Sequence, residues 1–196
     1  MPFYFIFMRI IAGHYRGRNL KNPPDLRTRP TSDRLRETLF NVLAPRIDET
    51  TRFLDLCAGT GAIGIEALSR GADFAVFVDK SRKSCGLIEA NLDLLSIPED
   101  QTEVVLSDAE EYLRRLNKNG NGENGFDIVY FDPPYSSEYR PVLDQFAFAD
   151  SKILRPDGIL IVEHHHKNEL PDLIWDLRRW RILKQGDTAL SFYERN

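Results

Sequence analysis

The sequence predicts an α/β protein whose core is a doubly wound, mainly parallel sheet of seven strands. From residue 53 onward, short apolar runs alternate with longer segments of helical periodicity. This alternation is typical of βαβ units, in which the strands are parallel. The last two runs, 179–184 and 188–193, are separated by only three residues and predict an antiparallel hairpin at the end of the sheet.

Size and composition fit a soluble globular protein. The 196 residues can bury a full core, and 42% hydrophobic with 29% charged residues is ordinary for this class. Cys57 and Cys85 lack paired-ligand spacing and indicate a reducing compartment, so we expect a cytoplasmic protein. The apolar residues 1–7 are too short to cross a membrane. Because Met8 follows them, we interpret them as an extension from an early start site.

The N-terminal part of the chain is strongly basic. Between Arg9 and Arg36, eight lysines and arginines stand against two acids, a net charge of +6, whereas the remainder carries −10. Such an asymmetry predicts a polyanionic partner, with a merely solvated charged surface as the alternative. We therefore divide the chain into a basic arm, residues 1–30, with a small hairpin over 8–20, and a second domain, residues 31–196.

The remaining elements follow in a regular order. Thr31 or Ser32 can cap a first helix that runs to about Ala44. Its apolar face consists of Leu35, Leu39, Val42 and Leu43. Three charged residues are expected to point away from that face: Arg34, Arg36 and Glu37. The parallel strands are predicted at 53–56, 74–78, 102–106, 126–131 and 159–163, and the helices between them end at Ser69, span 81–95, follow Ala109 and span about 140–154.

A glycine-rich loop follows the strand at 53–56. Gly59, Gly61 and Gly64 form a GxGxxG pattern, and Asp79 stands twenty positions beyond the first glycine, at the end of the next strand. Glycines allow close backbone approach to a nucleotide, and an acid at that place binds ribose hydroxyls. The pattern predicts a nucleotide-like ligand, NAD included. Glycines that serve only a tight strand-to-helix crossing are the structural alternative.

Two further acids favour a ligand other than NAD. Asp55 lies just before the glycine loop, where a carboxylate would repel a pyrophosphate but attract a cationic amine. Asp108 follows the third strand and can accept a hydrogen bond from an adenine amino group. An adenosine that carries an amino-acid ammonium fits three acids better than one that carries two phosphates. S-adenosylmethionine is the predicted cofactor.

The chemistry is predicted at Asp132-Pro133-Pro134-Tyr135, directly after the apolar strand at 126–131. The two prolines have no N–H, so they end the strand in a stiff turn whose preceding carbonyls no helix claims. Asp132 and the Pro133 carbonyl can each accept one N–H of a planar amine while Tyr135 stacks on the base. This arrangement predicts methyl transfer to an exocyclic base amine. An ordinary strand exit with a surface acid is the alternative.

Together these motifs resemble those of the bacterial RsmD family. The resemblance is carried by RPTSDRLRETLF at 29–40, DLCAGTGAIGIEALSRGA at 55–72 and the Asp132 to Tyr135 motif, and it extends from Met8 to Arg195. It implies a Rossmann-like class I S-adenosylmethionine-dependent methyltransferase that modifies the N2 amine of a specific guanine in small-subunit (16S) ribosomal RNA. The implied partner is this RNA or the small ribosomal subunit, bound by a monomer away from any membrane.

The resemblance also implies roles for individual residues. The catalytic residues would be Asp132, Pro133, Pro134 and Tyr135. The cofactor site would consist of Asp55, Cys57, Ala58, Gly59, Thr60, Gly61, Gly64, Asp79, Lys80, Asp108 and Ala109. The RNA contacts would be Arg9, His14, Arg16, Arg18, Arg29 and Arg34.

Two other groups of residues are not assigned to the site. His164, His165 and His166 do not predict a metal site, because adjacent side chains on an extended segment point to opposite sides. No metal is expected. Trp175 and Trp180 are expected to pack at the core or its rim rather than to stack on bases.

Three other functions stay open. An adenine-N6 DNA methyltransferase would use the same acceptors, but no segment is long enough for a separate target-recognition region. A noncatalytic RNA-binding module with a methyltransferase-like fold is disfavoured because the Asp132 to Tyr135 motif is complete. An NAD-dependent oxidoreductase remains compatible with the glycine pattern. A thermal-shift titration with S-adenosylmethionine against NAD separates this last function from the others.

Overall fold

A computed structural model describes residues 8–22, 32–119, 125–146 and 151–195. The interpreted extension at 1–7 and the predicted RNA contact Arg29 lie outside these ranges. The described residues contain one eight-stranded sheet. Its strands are β1 (Arg52–Leu56), β2 (Phe74–Asp79), β3 (Thr102–Leu106), β4 (Phe126–Phe131), β5 (Leu154–His165), β6 (Leu173–Ile174), β7 (Leu177–Gln185) and β8 (Thr188–Arg195).

The sheet is doubly wound, as predicted. Its order is β3-β2-β1-β4-β5-β8-β7-β6, with the first five strands parallel and the last three antiparallel. The strand order reverses between β1 and β4, where Leu56 lies beside Phe131. In open α/β sheets, ligands bind at such a switch point, outside the carboxyl ends of the strands. We therefore expect the functional site at this edge of the sheet.

Helices cover both faces of the sheet. On one face, the N-terminal hairpin joins α1 (Asp33–Leu43), α2 (Ala62–Ser69) and α3 (Arg82–Leu95) in one apolar cluster with the sheet. On the other face, α4 (Ala109–Asn119) and α5 (Arg140–Leu143) contribute to a second cluster. Alternate strand residues face the two clusters, as their period of two requires. No helix among the described residues is both long and apolar enough to cross a membrane.

Two predicted elements need correction. The sheet has eight strands rather than seven, because the two-residue β6 pairs with the start of β7 and is too short to leave a periodic pattern in the sequence. The helix predicted over 140–154 is wrong at its end, among the residues described there. After α5 and a short 3-10 turn at Asp144–Phe146, Leu154 already lies in β5 opposite Phe126. Pairing with β4 thus overrides the helical spacing of the apolar residues.

The first helix has the predicted cap but not the predicted polar face. Ser32 caps it, since its hydroxyl accepts from the Leu35 N–H at 3.2 Å. Arg36 was expected to point away from the core, but its side chain is fully buried. Its Nη2 donates to the Asp33 carboxylate and to the Arg9 carbonyl, both at 2.7 Å. The hairpin covers this side of the helix, and a single-helix pattern does not reveal such a contact.

The N-terminal hairpin is fastened to the helices. An antiparallel bridge joins Arg9 and Asn19, which confirms the predicted turn of the chain. The buried Glu66 carboxylate of α2 accepts the N–H groups of Ile11 and Ala12 at 2.8 and 3.0 Å. These contacts hold the basic segment against α2, the helix that follows the glycine loop.

Candidate functional site

The glycine loop packs tightly between β1 and α2. Gly59 and Gly61 have φ angles of 57° and 77°, a left-handed conformation that glycine adopts without strain. A Cβ atom on Gly64 would lie 2.4 Å from Cε1 of Phe77 in β2. The first two glycines therefore shape the turn, and the third lets the helix approach the sheet. This is the division of roles that a nucleotide-binding loop uses.

Asp79, at the end of β2, holds the loop by hydrogen bonds. Its Oδ2 accepts from the Gly59 N–H at 2.9 Å, and its Oδ1 accepts from the Ser81 N–H at 2.8 Å. A carboxylate has about four lone-pair sites, so two remain for a ligand. The half-buried side chain is thus placed beside the loop, as the sequence predicted, and can still bind ribose hydroxyls.

Asp55 acts on the opposite end of the loop. Its buried Oδ2 accepts from the Gly64 N–H at 3.0 Å and so fixes the first turn of α2. Burial, together with the negative charge of Asp79, raises the pKa of Asp55 to about 7, although the bond from Gly64 opposes this shift. A cation near Asp55 would stabilise its charged form. That property suits the ammonium group that the sequence predicts there.

The predicted acids converge around Cys57. This residue has a φ of 64° and lies between β1 and the glycine loop. Burial raises the pKa of its thiol to about 12, and four carboxylates add to the shift: Asp79, Asp132, Asp55 and Asp108. The strand register agrees, because Leu56 pairs with Val78 and Phe131 and Asp79 pairs with Leu106, so Asp79, Asp132 and Asp108 all follow at this edge. Asp108 is exposed and accepts from the Glu110 N–H at 2.9 Å, so it stands at the open side of the cluster.

The Asp132 to Tyr135 motif leaves acceptors at the end of β4. The Asp132 N–H donates to the Leu56 carbonyl at 3.2 Å, and the Pro134 carbonyl accepts from Ser137. Within the described ranges, no residue donates to the Pro133 carbonyl or forms an ion pair with Asp132. The Tyr135 ring is 40% exposed, and its hydroxyl lies 2.8 Å from Thr188 Oγ1. The motif therefore presents acceptors beside an exposed aromatic ring.

Glu163 is a site residue that the sequence argument missed. It is buried in β5, and because Phe131 pairs with Val162, it reaches the same sheet edge as Asp132. The Tyr130 hydroxyl donates a hydrogen bond to Glu163 Oε2. Burial, with the charges of Glu163 and Asp55, raises the pKa of Asp132 well above its usual value. The sequence does contain a signal for Glu163. It is an acid at the end of an apolar run, as Asp79 is.

Comparison with known proteins places this site in a family. A family model described as "Conserved hypothetical protein 95" matches residues 8–194. The chain belongs to this family. The matched region contains the glycine loop, all four acids around Cys57 and the Asp132 to Tyr135 motif. The comparison also confirms the resemblance to RsmD proteins that the motifs indicated.

Relatives in this family are similar along nearly their whole length. The chain is 36% identical to "Putative rRNA methyltransferase YlbH" of Bacillus subtilis, covering 96% of this chain and 99% of that protein. It is also 36% identical to "Ribosomal RNA small subunit methyltransferase D" of Escherichia coli K12, covering 96% and 90%. A solved structure titled "Putative methyltransferase yhhF from Escherichia coli" has a TM-score of 0.81 at 34% identity, covering 96% and 98%. These similarities confirm the predicted methyltransferase fold.

The other predicted cofactor residues of this family member line the same loop or its surroundings. Ala58 lies in the loop and donates to the Val78 carbonyl at 3.1 Å, Lys80 is exposed after β2, and Ala109 is buried at the start of α4. The Thr60 carbonyl accepts from Asn91 Nδ2 at 3.0 Å. Asn91 is fully buried, and its Oδ1 accepts from the Lys21 N–H at 2.7 Å. This bridge between loop and hairpin was not predicted.

The predicted RNA contacts lie at the surface. Five of them are described and all are exposed: Arg9, His14, Arg16, Arg18 and Arg34. Arg9 forms an ion pair with Asp33 at 3.2 Å, and Arg18 donates to the Leu94 carbonyl at 3.1 Å. Arg16 and Arg34 have no ion pair among the residues that the structure describes. The surface of the hairpin and α1 is therefore accessible to a polyanion.

The three histidines divide between the core and a turn. His164 is buried and lies 2.9 Å from Ser191 Oγ. The rings of His165 and His166 stack at 4.6 Å, and their nitrogens lie with an Asp187 oxygen within 4.8 Å of one another. Two of the histidines thus approach each other more closely than strand alternation suggested. Ligands of a single zinc ion lie about 3.3 Å apart, so this spacing would have to contract. The absence of a metal stays a prediction.

Proposed function

We propose that this protein transfers a methyl group from S-adenosylmethionine to the N2 amine of a guanine in small-subunit ribosomal RNA. The observation that carries the proposal is the Asp132 to Tyr135 motif, which offers a carboxylate, a carbonyl to which no described residue donates and an exposed tyrosine beside the glycine loop. The name of the Escherichia coli relative, a small-subunit ribosomal RNA methyltransferase, supports the RNA class. The choice of guanine N2 rests on the family resemblance.

Several residues fit the cofactor. Asp79 would bind its ribose, the loop from Gly59 to Gly64 would bind its methionine part, and Asp108 would accept from its adenine amine. Asp55 is suited to the ammonium group because its own charge is otherwise unfavourable in this buried place. When bound, S-adenosylmethionine supplies an electrophilic methyl group. The protein itself then has to position the amine.

The amine is positioned by the end of β4. Asp132 and the Pro133 carbonyl would each accept one N–H, which aims the nitrogen lone pair away from both acceptors. Tyr135 would stack on the base, and its hydroxyl contact with Thr188 limits rotation of the ring. A base inside a helix cannot reach this edge. The target is therefore a loop nucleotide or a flipped base.

The proton released by the amine has a local acceptor. The pKa of Asp132 is raised, so its carboxylate is a stronger base than an exposed one. The charge of Glu163 is one cause of that raised pKa. Asp132 would take the proton late, after the bond to carbon has formed.

The remaining predictions enter this proposal as follows. Residues 1–30 form an RNA-contacting arm and residues 31–196 the methyltransferase domain. The arm and α1 contact the RNA backbone through Arg9, His14, Arg16, Arg18, Arg29 and Arg34. We further propose that the protein acts as a monomer in the cytoplasm, on the RNA itself or on the assembled small subunit.

One experiment tests the activity directly. The protein is incubated with labelled S-adenosylmethionine and small-subunit particles from cells that lack it, and the modified nucleotide is mapped. The proposal expects N2-methylguanine at a single position. Label on N6 of an adenine would contradict the assignment to guanine, and absence of label despite measured cofactor binding would contradict the RNA substrate.

A further inference from the structure

The outer strand of the antiparallel part of the sheet carries exposed basic and aromatic side chains. We call this set the basic edge: Arg178, Trp180, Arg181, Ile182 and Lys184 of β7. Trp180 packs at the rim, as expected, but it is 43% exposed and so has ring surface free for stacking. Ile182 is 41% exposed, and the three cations are exposed as well. Over about 20 Å of strand, cationic and apolar side chains therefore reach solvent on both faces of this edge, with Arg178 and Arg181 on the face of Phe192, and with Ile182 and Lys184 on the opposite face.

No described strand covers this edge beyond its first residues. β8 pairs with β7 along its inner side, whereas β6 pairs only with Leu177 and Arg178 on the outer side. A ladder shift between Arg179 and Arg181 leaves Trp180 without a paired residue, and its ring lies 5.7 Å from Phe192. No described residue pairs with the outer side of β7 from Trp180 to Gln185, so this side is open to a partner.

Most cations of this strand form no ion pair with a described residue, although Arg178 lies opposite Glu194 in the ladder. Residues 177–186 contain four cations and no acid, in a chain whose net charge is −4. Arg179 forms an ion pair with Asp172. The other three, Arg178, Arg181 and Lys184, form no ion pair with any described residue. A solvated surface would tolerate these charges, but unpaired cations on the same strand as a half-exposed tryptophan are typical of nucleic-acid contacts.

The basic edge leads to the candidate active site. The last residue of β7, Gln185, follows Lys184 and pairs with Thr188, whose hydroxyl lies 2.8 Å from that of Tyr135. Lys184 pairs with Ala189, which in turn pairs with His164 at the end of β5. A strand of RNA whose base stacks on Tyr135 would therefore meet the edge within a few residues of the site.

We propose that the basic edge is a second RNA-contacting surface, which holds the strand next to the target nucleotide. This inference rests on the proposed function, since it takes RNA as the substrate. A second copy of the chain is the competing occupant of an open strand edge. Antiparallel pairing of two such edges would place cations opposite cations, which is unfavourable. RNA, by contrast, complements both the charge and the exposed ring.

The test measures RNA binding by the full-length protein. The variant replaces the three unpaired cations by glutamine: R178Q, R181Q and K184Q. Filter binding to a small-subunit ribosomal RNA transcript is measured from 50 to 300 mM KCl. Because each lost phosphate contact removes about 0.7–0.9 from the slope of log K against log salt, we expect a slope shallower by about 2. Affinity at 150 mM KCl should fall by about tenfold, with S-adenosylmethionine affinity unchanged.

A matched control separates position from charge. R114Q, K118Q and K152Q remove the same charge from exposed sites without ion pairs among the described residues, and this variant should keep the wild-type slope. W180A should weaken binding by about tenfold with little change in slope, since it removes stacking and not charge.

The outcomes distinguish this inference from the proposed function. If the edge variant and the control variant have the same slope, the basic edge is not an RNA contact, even if the wild type methylates RNA. If the wild type elutes as a dimer that the edge variant abolishes, the second copy is the occupant and the inference is wrong. Because binding is scored without turnover, a failure of methylation would contradict the proposed function alone.

Discussion

The Tyr130 hydroxyl donates a hydrogen bond to the Glu163 carboxylate, and both side chains are buried at the carboxyl edge of the sheet. Burial is the main cause that raises the pKa of Tyr130 well above its usual value, and the charges of Glu163 and Asp132 add to it. The Tyr130 hydroxyl therefore remains a hydrogen-bond donor. The bond fixes the orientation of Glu163 next to Asp132. Two carboxyl groups therefore share the edge where the proposed amine acceptor lies, and each affects the other's proton affinity.

Replacing Asp132 by alanine is expected to lower turnover by about 100-fold or more, because the acceptor that orients the amine is lost. The affinity for S-adenosylmethionine should change little, since the loop contacts of Asp79 and Asp55 are untouched. Single-turnover methylation and calorimetric titration measure the two quantities. The exposed Asp73 serves as a control through D73A. A D132A enzyme as fast as the wild type would exclude Asp132 from the chemistry.

Replacing Glu163 by glutamine is expected to shift the acid limb of the pH–rate profile to lower pH. Besides burial, two charges raise the pKa of Asp132: Glu163 from β5 and Asp55 from β1. The neutral Tyr130 hydroxyl from β4 is hydrogen-bonded to Glu163. Removing the Glu163 charge lowers that pKa, and the amide oxygen can still accept from Tyr130. The profile of kcat/KM against pH is the measurement. A limb that stays in place or moves to higher pH would show that Glu163 does not act on Asp132.

Replacing Asp55 by asparagine is expected to make the free energy of unfolding fall less between pH 5 and pH 7 than it does in the wild type. The pKa of Asp55 is raised to about 7 in the folded protein, so the folded form holds a proton that the unfolded chain releases near pH 4. The stability that this raised pKa contributes to the folded protein is complete below about pH 4 and is lost as the pH rises through about 7. Between pH 5 and 7, the wild type should lose up to about 1.4 kcal/mol per pH unit relative to D55N.

Urea unfolding of both proteins at pH 5, 6 and 7 measures this difference. D55N retains an amide oxygen for the Gly64 N–H, so the loop keeps its hydrogen bond. The control D73N, at an exposed site, should track the wild type at every pH. A constant difference between D55N and the wild type across the three values would mean that Asp55 is not the titrating group.

The elements that could be predicted from the sequence are those determined by local pattern. The apolar runs placed β1 to β5, and the residues at their ends placed Asp79, Asp108 and Asp132 at one edge. This succeeds because parallel strands bring their carboxyl ends together whatever the contacts between helices are. The family resemblance then connected the glycine loop with the proline motif. The match to residues 8–194 is consistent with that connection.

What could not be predicted depends on contacts between distant segments. Arg36 is buried because the hairpin covers α1, and Asn91 is buried because it joins the hairpin to the glycine loop. Both positions lie on the buried side of their helices, but a polar side chain there does not reveal the distant segment that buries it. The end of the helix expected over 140–154 was wrong for the same reason, since Leu154 pairs with Phe126 far along the chain. Glu163 was missed at the end of a strand whose register with β4 was unknown.

Replacing Glu66 by alanine is expected to lower the free energy of unfolding by about 3 kcal/mol. This fully buried carboxylate accepts the Ile11 and Ala12 N–H groups and forms an ion pair with Arg70 at 2.7 Å, so its removal leaves a cation and two amides without their acceptor. Because the hairpin carries proposed RNA contacts while the glycine loop keeps its bonds to Asp79 and Asp55, loosening the hairpin should weaken RNA binding more than cofactor binding. Urea unfolding and filter binding measure the two effects, with E37A on the exposed side of α1 as the control. Loss of stability with unchanged RNA affinity would show that the hairpin stabilises the fold without contacting the substrate.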